Sequence, residues 1–565
     1  MKKASVFVAI AMAVCLASMA QAAALKPLTE VVKTPVGNVA SGGETIVPII
    51  TWGGDALTIF ANGNARSTVK GSIFDKEGLQ IKLVREDDFT KQLSMYLSGK
   101  TPYLRGTMGM INQALELISV DQRTVPTVIF QHTWSSGGDV FVGKESIKTP
   151  ADLRGKTIAL QAYGPHVDYL GVVLADAGLS LKDVNIVWTK DLTGDGDTPA
   201  KALRTNSAVD AAFVISPDAL ALTSGGKVGS GAEDSVRGAH TVLSTKTANR
   251  VIADVYVVRA DYFAQNRTKV QAFVHGLMLG QEALVESLKQ KATAKQTLTA
   301  LGDILLDNAQ DTAGAEGLLG DCEFVGYRGN VAFFGDPNNT RNFEILTTEI
   351  QTSFIPIGIL SKRIALAHAK WDYNALKTGL VDVSGVEAPR FDTNAVAQVV
   401  TRMQQQGTLD SGELFSFEIY FEPNQQQFSA ELYHDAFEKV VKLAARYGGA
   451  VITVEGHSDP LNYLRRKKDG ATDIELRQIR QAAKNLGIAR SNAVRDTIVE
   501  FAKSQRISLD PSQFTALGQG IEQPKNGLCG QDPCAPRTEQ EWRNNMRVVF
   551  RIIQIEAETS AFKPL

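Results

Sequence analysis

The 565-residue chain predicts a multi-domain α/β protein, and three observations carry that prediction. From Glu44 to about Ser384, short β-rich runs alternate with amphipathic helices, the pattern of layered α/β units with largely parallel sheets. Beyond about residue 411 the organisation changes to a β-α-β-α-β order that fits one compact domain. Composition is that of a globular protein, 44% hydrophobic and 21% charged, which excludes disordered and fibrous classes. Lys+Arg 59 against Asp+Glu 61 gives a net charge of −2, without the positive footprint of a nucleic-acid binder.

Residues 1–22 read as a signal peptide. Lys2 and Lys3 form a basic start, Val6 to Ala17 is a run of twelve apolar residues, and Ala20-Gln21-Ala22 is a small-x-small cleavage site. The run is shorter than the ~20 residues that span a bilayer. A lipoprotein signal at Cys15 is the rival, disfavoured by Val14 and Met12. No later stretch reaches a transmembrane length, and no long series of alternating strands suggests an outer-membrane barrel. The expectation is an exported, soluble protein. In an oxidising compartment Cys529 and Cys534 read as a disulfide clipping a short loop, with a metal pair the weaker reading, and Cys322 as a buried small hydrophobe.

The N-terminal elements follow in order. Thr45 to Thr51 is a strand closed by Trp52-Gly53-Gly54. Leu79 to Val84 alternates apolar and polar residues, Gln92 to Leu97 is helical, and Val125 to Phe130 is a buried strand. Thr157 to Leu160, Val184 to Trp188 and Asp210 to Pro217 are further strands, with the turn Tyr163-Gly164-Pro165-His166 opening a helix. Asp191, Asp195 and Asp197 fail the calcium-loop spacing, and the glycines of 224–231 fit neither nucleotide-binding order. No catalytic constellation appears, so no enzyme and no cofactor is expected.

The runs TPADLRGKTIAL, GPH, ADAGLSLKDVNIV, ALRTNSAVDAAFVISPDA and VIADVYVVRADYFAQNRTKVQAFVHGLMLGQEAL resemble periplasmic solute-binding proteins, in particular the nitrate/sulfonate/taurine-like receptors of ABC importers. The resemblance implies a bilobal domain over 44–384 with a ligand between the lobes. Loops after strand C-termini are where open α/β sheets place ligands, and helix N-terminal amides favour anions. Tyr163, Gly164 and His166 are candidate contacts from one lobe, and Trp52, Gly53, Thr107 and Trp134 from the other lobe or the hinge; Asp210 and Ser216 complete the set. Trp52 suits a core as well as a ligand wall, Gly53 suits a simple turn, and a carboxylate at Asp210 would suit an amine group.

Residues 385–411, with Pro389 and Gln404-Gln-Gln406, read as a linker containing a helix. In 412–565, Phe415 to Phe421 and Ala450 to Glu455 are strands, His434 to Arg446 and Ala489 to Lys503 helices, and Asn544 to Ile553 a last strand. ITVEGHSD, LGIARSNAV, LGQGIEQP and NNMRVVF, in that order, resemble the α+β OmpA-like peptidoglycan-binding domains. That resemblance implies that Asp459 and Arg490 hold the ammonium and carboxylate of the diaminopimelate stem, with Arg547 a further candidate. An Asp accepts from an ammonium and an Arg forks onto a carboxylate. The sequence departs from the family at Met546, at Gly487 and in the 31-position interval from Asp459 to Arg490. Within that interval lies a basic run, Arg465-Arg-Lys-Lys468 with Arg477, Arg480 and Lys484, which suits a solvated helix face or contact with anionic wall polymers.

The functional expectation is a wall-anchored receptor for a small anionic or zwitterionic solute, delivered to an ABC permease. Two alternatives stand beside it: a wall-anchored sensor or scaffold docking a protein in the cleft, and an enzyme related to the similarly folded thiamine-pyrimidine synthases, whose Cys-rich motif is absent here.

Overall fold

The computed structural model describes residues 25–554 apart from 41, 385–389, 423–424, 426–427 and 531, and omits the side chains of 410 and 411. The expected signal peptide, Cys15 and the first residues of the expected linker lie outside the described residues. No described helix is long and apolar enough to cross a membrane.

Two α/β lobes form the N-terminal part. Lobe 1 holds a parallel pair, β1 (Thr45–Ile49) and β2 (Ile81–Arg85). Beside it lies a sheet of β3 (Tyr103–Thr107), β4 (Pro126–Ser135), β10 (Ala253–Arg259), β11 (Cys322–Phe324) and β12 (Ala367–His368), with main order β11-β4-β10-β3. Lobe 2 holds β5 (Asp139–Gly143), β6 (Thr157–Gln161), β7 (Asn185–Thr189), β8 (Ala211–Ile215) and β9 (His240–Ser244), ordered β7-β6-β8-β5-β9. The chain crosses between lobes twice, from β4 into β5 and from β9 back into β10. The crossings run side by side: the Ser135 amide donates to the Ile252 carbonyl (3.0 Å) and the Thr245 amide to the Asp139 carbonyl (2.9 Å).

This traffic corrects the expectation of largely parallel sheets. β10 returns from lobe 2 against outgoing β3 and β4, so both ladders are antiparallel, and β5 is antiparallel to β8 and β9. In lobe 2 the parallel ladders are β6 with β7 and with β8. Phe141 and Phe213 stack at 4.9 Å, and Tyr169 stands edge-on to Phe213 at 5.2 Å, filling the core under the helix His166–Asp176.

The C-terminal domain is a four-stranded sheet, β13 (Glu413–Tyr420), β14 (Val451–His457), β15 (Phe514–Gly520) and, after the short hairpin β16 (Leu528–Cys529) and β17 (Asp532–Pro533), β18 (Arg547–Ile553); its order is β13-β18-β14-β15. β15 was not foreseen as a strand. On one face lie the helices His434–Arg446 and Asp473–Ser504. Phe437, Val440, Val441 and Ala444 recur at helical spacing and share a core with Val494, Ile498 and Phe501. On the other face the helix Thr393–Gln406 buries Val396 and Val400 against Val451, Leu517 and Ile553. The described part of the expected linker is therefore a layer of the domain, because its apolar stripe has a sheet face to cover. Asp392 caps that helix, accepting from the amides of Asn394 (2.9 Å) and Ala395 (3.1 Å).

The expected helix 489–503 begins sixteen residues earlier, at Asp473. A capping box starts it: the Thr472 hydroxyl accepts from the Glu475 amide (3.3 Å) and Glu475 from the Thr472 amide (2.8 Å). Gly487 sits mid-helix for a steric reason. A Cβ there would lie 2.5 Å from the Gly456 carbonyl oxygen, and one on Gly518 would lie 2.3 Å from that of Lys484. Three glycines thus let the helix rest backbone on backbone across β14 and β15.

Candidate functional site

In the cleft, β1 delivers Trp52, whose indole donates to Thr133 Oγ1 (3.1 Å) and whose ring lies against Gly138, where a Cβ would come within 2.5 Å. Gly53 is buried against the Leu318 carbonyl, which a Cβ would meet at 1.9 Å. Beneath them is an ionic triad that sequence reasoning missed. Arg105, fully buried on β3, pairs with Asp55 (2.9 Å) and Asp254 (2.9 Å), and Asp254 also accepts from Thr133 Oγ1 (3.1 Å). Burial pushes the Asp55 carboxyl up to about 7 against the pull of Arg105. An arginine in a strand as apolar as this demands buried carboxylates, and that was the available signal.

From lobe 2, His166 opens its helix with Nε2 2.6 Å from Asp139 Oδ1, while Asp139 Oδ2 accepts from Ser135 Oγ (2.6 Å). Tyr163 takes a left-handed φ of 60° and donates its hydroxyl to the Lys26 carbonyl (2.6 Å). Three contacts close the lobes on each other. Ser216, just past the C-terminal end of β8, donates to Asp321 Oδ2 (2.7 Å). Gln113 donates to the Gly164 carbonyl (3.3 Å). Asp168 wedges against Gly109 in the first turn of the helix Met108–Ile118, where a Cβ would lie 2.0 Å from its Oδ1. Burial first, then the nearby Asp139 charge, pushes the Asp168 carboxyl up to about 8.

Two expected contacts sit elsewhere. Asp210 precedes β8, at the opposite end of that strand from Ser216, where its carboxylate accepts from the Thr157 amide (3.0 Å). Strand direction, not proximity in sequence, decides which end meets the cleft. Trp134 is buried in lobe 1, edge-on to Phe333 at 5.9 Å. Thr107 stays at the lobe contact, capping through the Met110 amide (3.1 Å) the helix Met108–Ile118 whose first turn meets Asp168.

The second site lies on the C-terminal domain. Asp459 follows β14, and its Oδ1 accepts from the Leu461 amide (2.8 Å) at the start of the helix Leu461–Lys468. Arg490, only 4% exposed, lies over the Phe421 ring (4.5 Å) and donates to the Gln425 carbonyl (3.3 Å) and Ser458 Oγ (3.5 Å). Burial lowers its hold on its proton, and the Asp459 charge works the other way. Among the described residues no carboxylate forms an ion pair with this guanidinium. Arg547, by contrast, pairs with Glu418 (2.9 Å) and donates to the Gln523 carbonyl (3.3 Å).

Beside this site the basic run is partly neutralised. Asp532 pairs with Lys467 (3.3 Å) and Arg480 (2.7 Å), and Arg480 also pairs with Glu522 (2.8 Å) and stacks on Tyr463 (4.6 Å). Asp532 belongs to the β16–β17 hairpin, which the Cys529–Cys534 disulfide closes with Cα atoms 5.6 Å apart. Cys322 lies half-buried, its thiol pushed well above the usual range by burial. His434, Asp435 and Glu438 gather on an exposed helix start, where Glu438 is paired with Lys442 (2.8 Å).

Residues 70–287 match the NMT1/THI5 like family model. The match begins between β1 and β2 and ends within the helix Ala260–Leu288, so it takes in all of lobe 2, part of lobe 1 and none of the C-terminal domain. No curated protein matches the sequence. Among solved structures, the chain is similar to the periplasmic aliphatic sulphonate binding protein SsuA of Escherichia coli (15% identity, 62% of this chain and 96% of that one, TM-score 0.40). It is also similar to the alkanesulfonate-binding protein SsuA of Xanthomonas axonopodis pv. citri bound to MOPS (15%, 59% and 100%, 0.39) and the nitrate-binding protein NrtA of Synechocystis PCC 6803 (14%, 60% and 86%, 0.39).

Proposed function

We propose that this chain is an exported two-lobed receptor for a small solute of an ABC-type importer, held to the cell wall by its C-terminal domain. Support for the receptor half is the pair of lobes linked by two crossovers, with loops after strand C-termini meeting between them, together with the family match over 70–287. The observation that carries the wall-binding half is Arg490: a buried guanidinium with no carboxylate ion pair among the described residues, feeling the charge of nearby Asp459. A peptide stem bearing an ammonium and a carboxylate on one carbon supplies both missing partners.

The test is co-sedimentation of the full chain with isolated peptidoglycan. Wild type pellets with the wall, and the double variant Asp459→Ala/Arg490→Ala stays in the supernatant; equal pelleting would refute the anchor. For the solute, thermal shifts against sulfonates, small anions and amino acids should show stabilisation of ~2.7 kcal/mol at a hundredfold excess over Kd, lost in Trp52→Ala. A second reading, a wall-anchored sensor or scaffold, is favoured by the way Ser216, Gln113 and Asp168 already close the cleft. It predicts no small-molecule shift and a protein partner instead.

A further inference from the structure

The C-terminal domain grips the receptor at its hinge. The turn after the helix His434–Arg446 lies on the returning crossover: the Gly449 amide donates to the Thr247 carbonyl (3.1 Å) and the Arg250 amide to the Arg446 carbonyl (3.3 Å). The approach requires glycine, since a Cβ on Gly449 would lie 1.9 Å from the Lys246 carbonyl oxygen. Beside this turn, the Arg446 guanidinium bridges Asp176, at the end of the lobe 2 helix, and Glu349 (2.5 Å) of the helix Phe343–Phe354. Tyr447 donates to Asp176 (2.9 Å), and Arg341 joins Glu349 (2.6 Å) to the Arg250 carbonyl (2.8 Å). Arg250 then pairs with Glu323 on β11 of lobe 1 (2.5 Å).

One network therefore ties the C-terminal domain to lobe 2, to the crossover and to lobe 1. Burial opposes the charge on Arg446, yet Asp176 and Glu349 hold its proton more tightly than usual. The helix that ends at Asp176 begins at His166 in the cleft, ten residues or about 15 Å away.

We propose that the C-terminal domain is a hinge clamp. Its hold on Lys246–Arg250 and on Asp176 fixes the lobes in the closed arrangement, and the lobes open only when this contact is released. The clamp goes beyond the proposed function and needs neither ligand to be named. Where the wall-binding reading also holds, reciprocity of coupling makes wall attachment and cleft opening influence each other.

Hydrogen exchange followed by mass spectrometry on the full chain tests this. Arg446→Ala, and independently Gly449→Ala, should speed exchange at least tenfold in the cleft segments 52–55, 136–139 and 214–218. Arg495→Ala, which removes an exposed pair with its neighbour Asp496, should leave them unchanged. Protection of β14 and β15 reports whether each variant's C-terminal domain is folded; if either substitution unfolds it, Asp176→Asn, which spares that domain, is read in its place. Acceleration confined to 170–180 and 440–450, with the cleft unchanged, would overturn the clamp while leaving wall and solute binding untouched.

Discussion

The cleft and the Arg490 pocket each contain a buried arginine, and they treat it in opposite ways. Arg105 has Asp55 and Asp254 already in place, so its charge is spent on holding lobe 1 together. Arg490 has carbonyl and hydroxyl acceptors and an aromatic ring, but no paired carboxylate among the described residues. The contrast separates scaffold from candidate recognition: a buried cation with its counter-ions supplied holds the fold together, and one without a paired carboxylate is open to an anion from outside.

The sharpest way to break this comparison is to truncate each arginine. Arg105→Ala should destabilise the protein by ~3–5 kcal/mol, because it leaves two buried carboxylates unpaired. Arg490→Ala should cost far less in denaturant unfolding and instead weaken wall binding by about 2–5 kcal/mol, roughly thirtyfold to several thousandfold. Equal stability losses would erase the distinction.

Asp168 sharpens it from the acid side. Its carboxyl is held neutral up to about 8 in the fold, against 3.8 when unfolded. The folded state therefore binds the extra proton between those values, and the stability this group contributes is complete below about pH 4 and lost as pH rises through about 8. Asp168→Asn does not titrate, so its unfolding free energy, read from denaturant melts, should gain on wild type between pH 5 and pH 9 by an amount on the order of a few kcal/mol. A constant difference across that range would mean that Asp168 is charged in the fold.

The smallest effect belongs to the basic helix. Arg466 makes an exposed pair with Glu475 at 3.5 Å, and Arg466→Ala should change stability by less than about 0.5 kcal/mol. Any loss of wall binding should be modest and disappear at high salt; a salt-independent loss would place Arg466 in the pocket itself.

How much was legible in the sequence follows the range of the interactions. The pairing of Cys529 with Cys534 and the helix His434–Arg446 are local and were readable. Asp459 and Arg490 were singled out through motif order, and the structure sets Arg490 against Ser458, the residue before Asp459. The early start of the helix Asp473–Ser504 was missed although Thr472 and Glu475 spell a capping box. Asp139, Asp168 and Asp321 were invisible because their meaning lies in partners on other elements, as with Ser216 and Asp321, 105 positions apart. Asp210 was misplaced because strand direction within a sheet is a property of topology, not of local pattern.

The crossing of Gly456, Gly487 and Gly518 has a kinetic consequence. Where these three glycines meet, main chain lies on main chain with no side chain of theirs between the helix and strands β14 and β15, and Arg490 stands three residues beyond Gly487 on that helix. If Arg490 takes up an anion as proposed, its helix is already seated at this crossing before the ligand arrives. On that reading encounter and orientation would set the association rate, so observed rates should rise linearly with ligand concentration and differences in affinity should be expressed as differences in residence time.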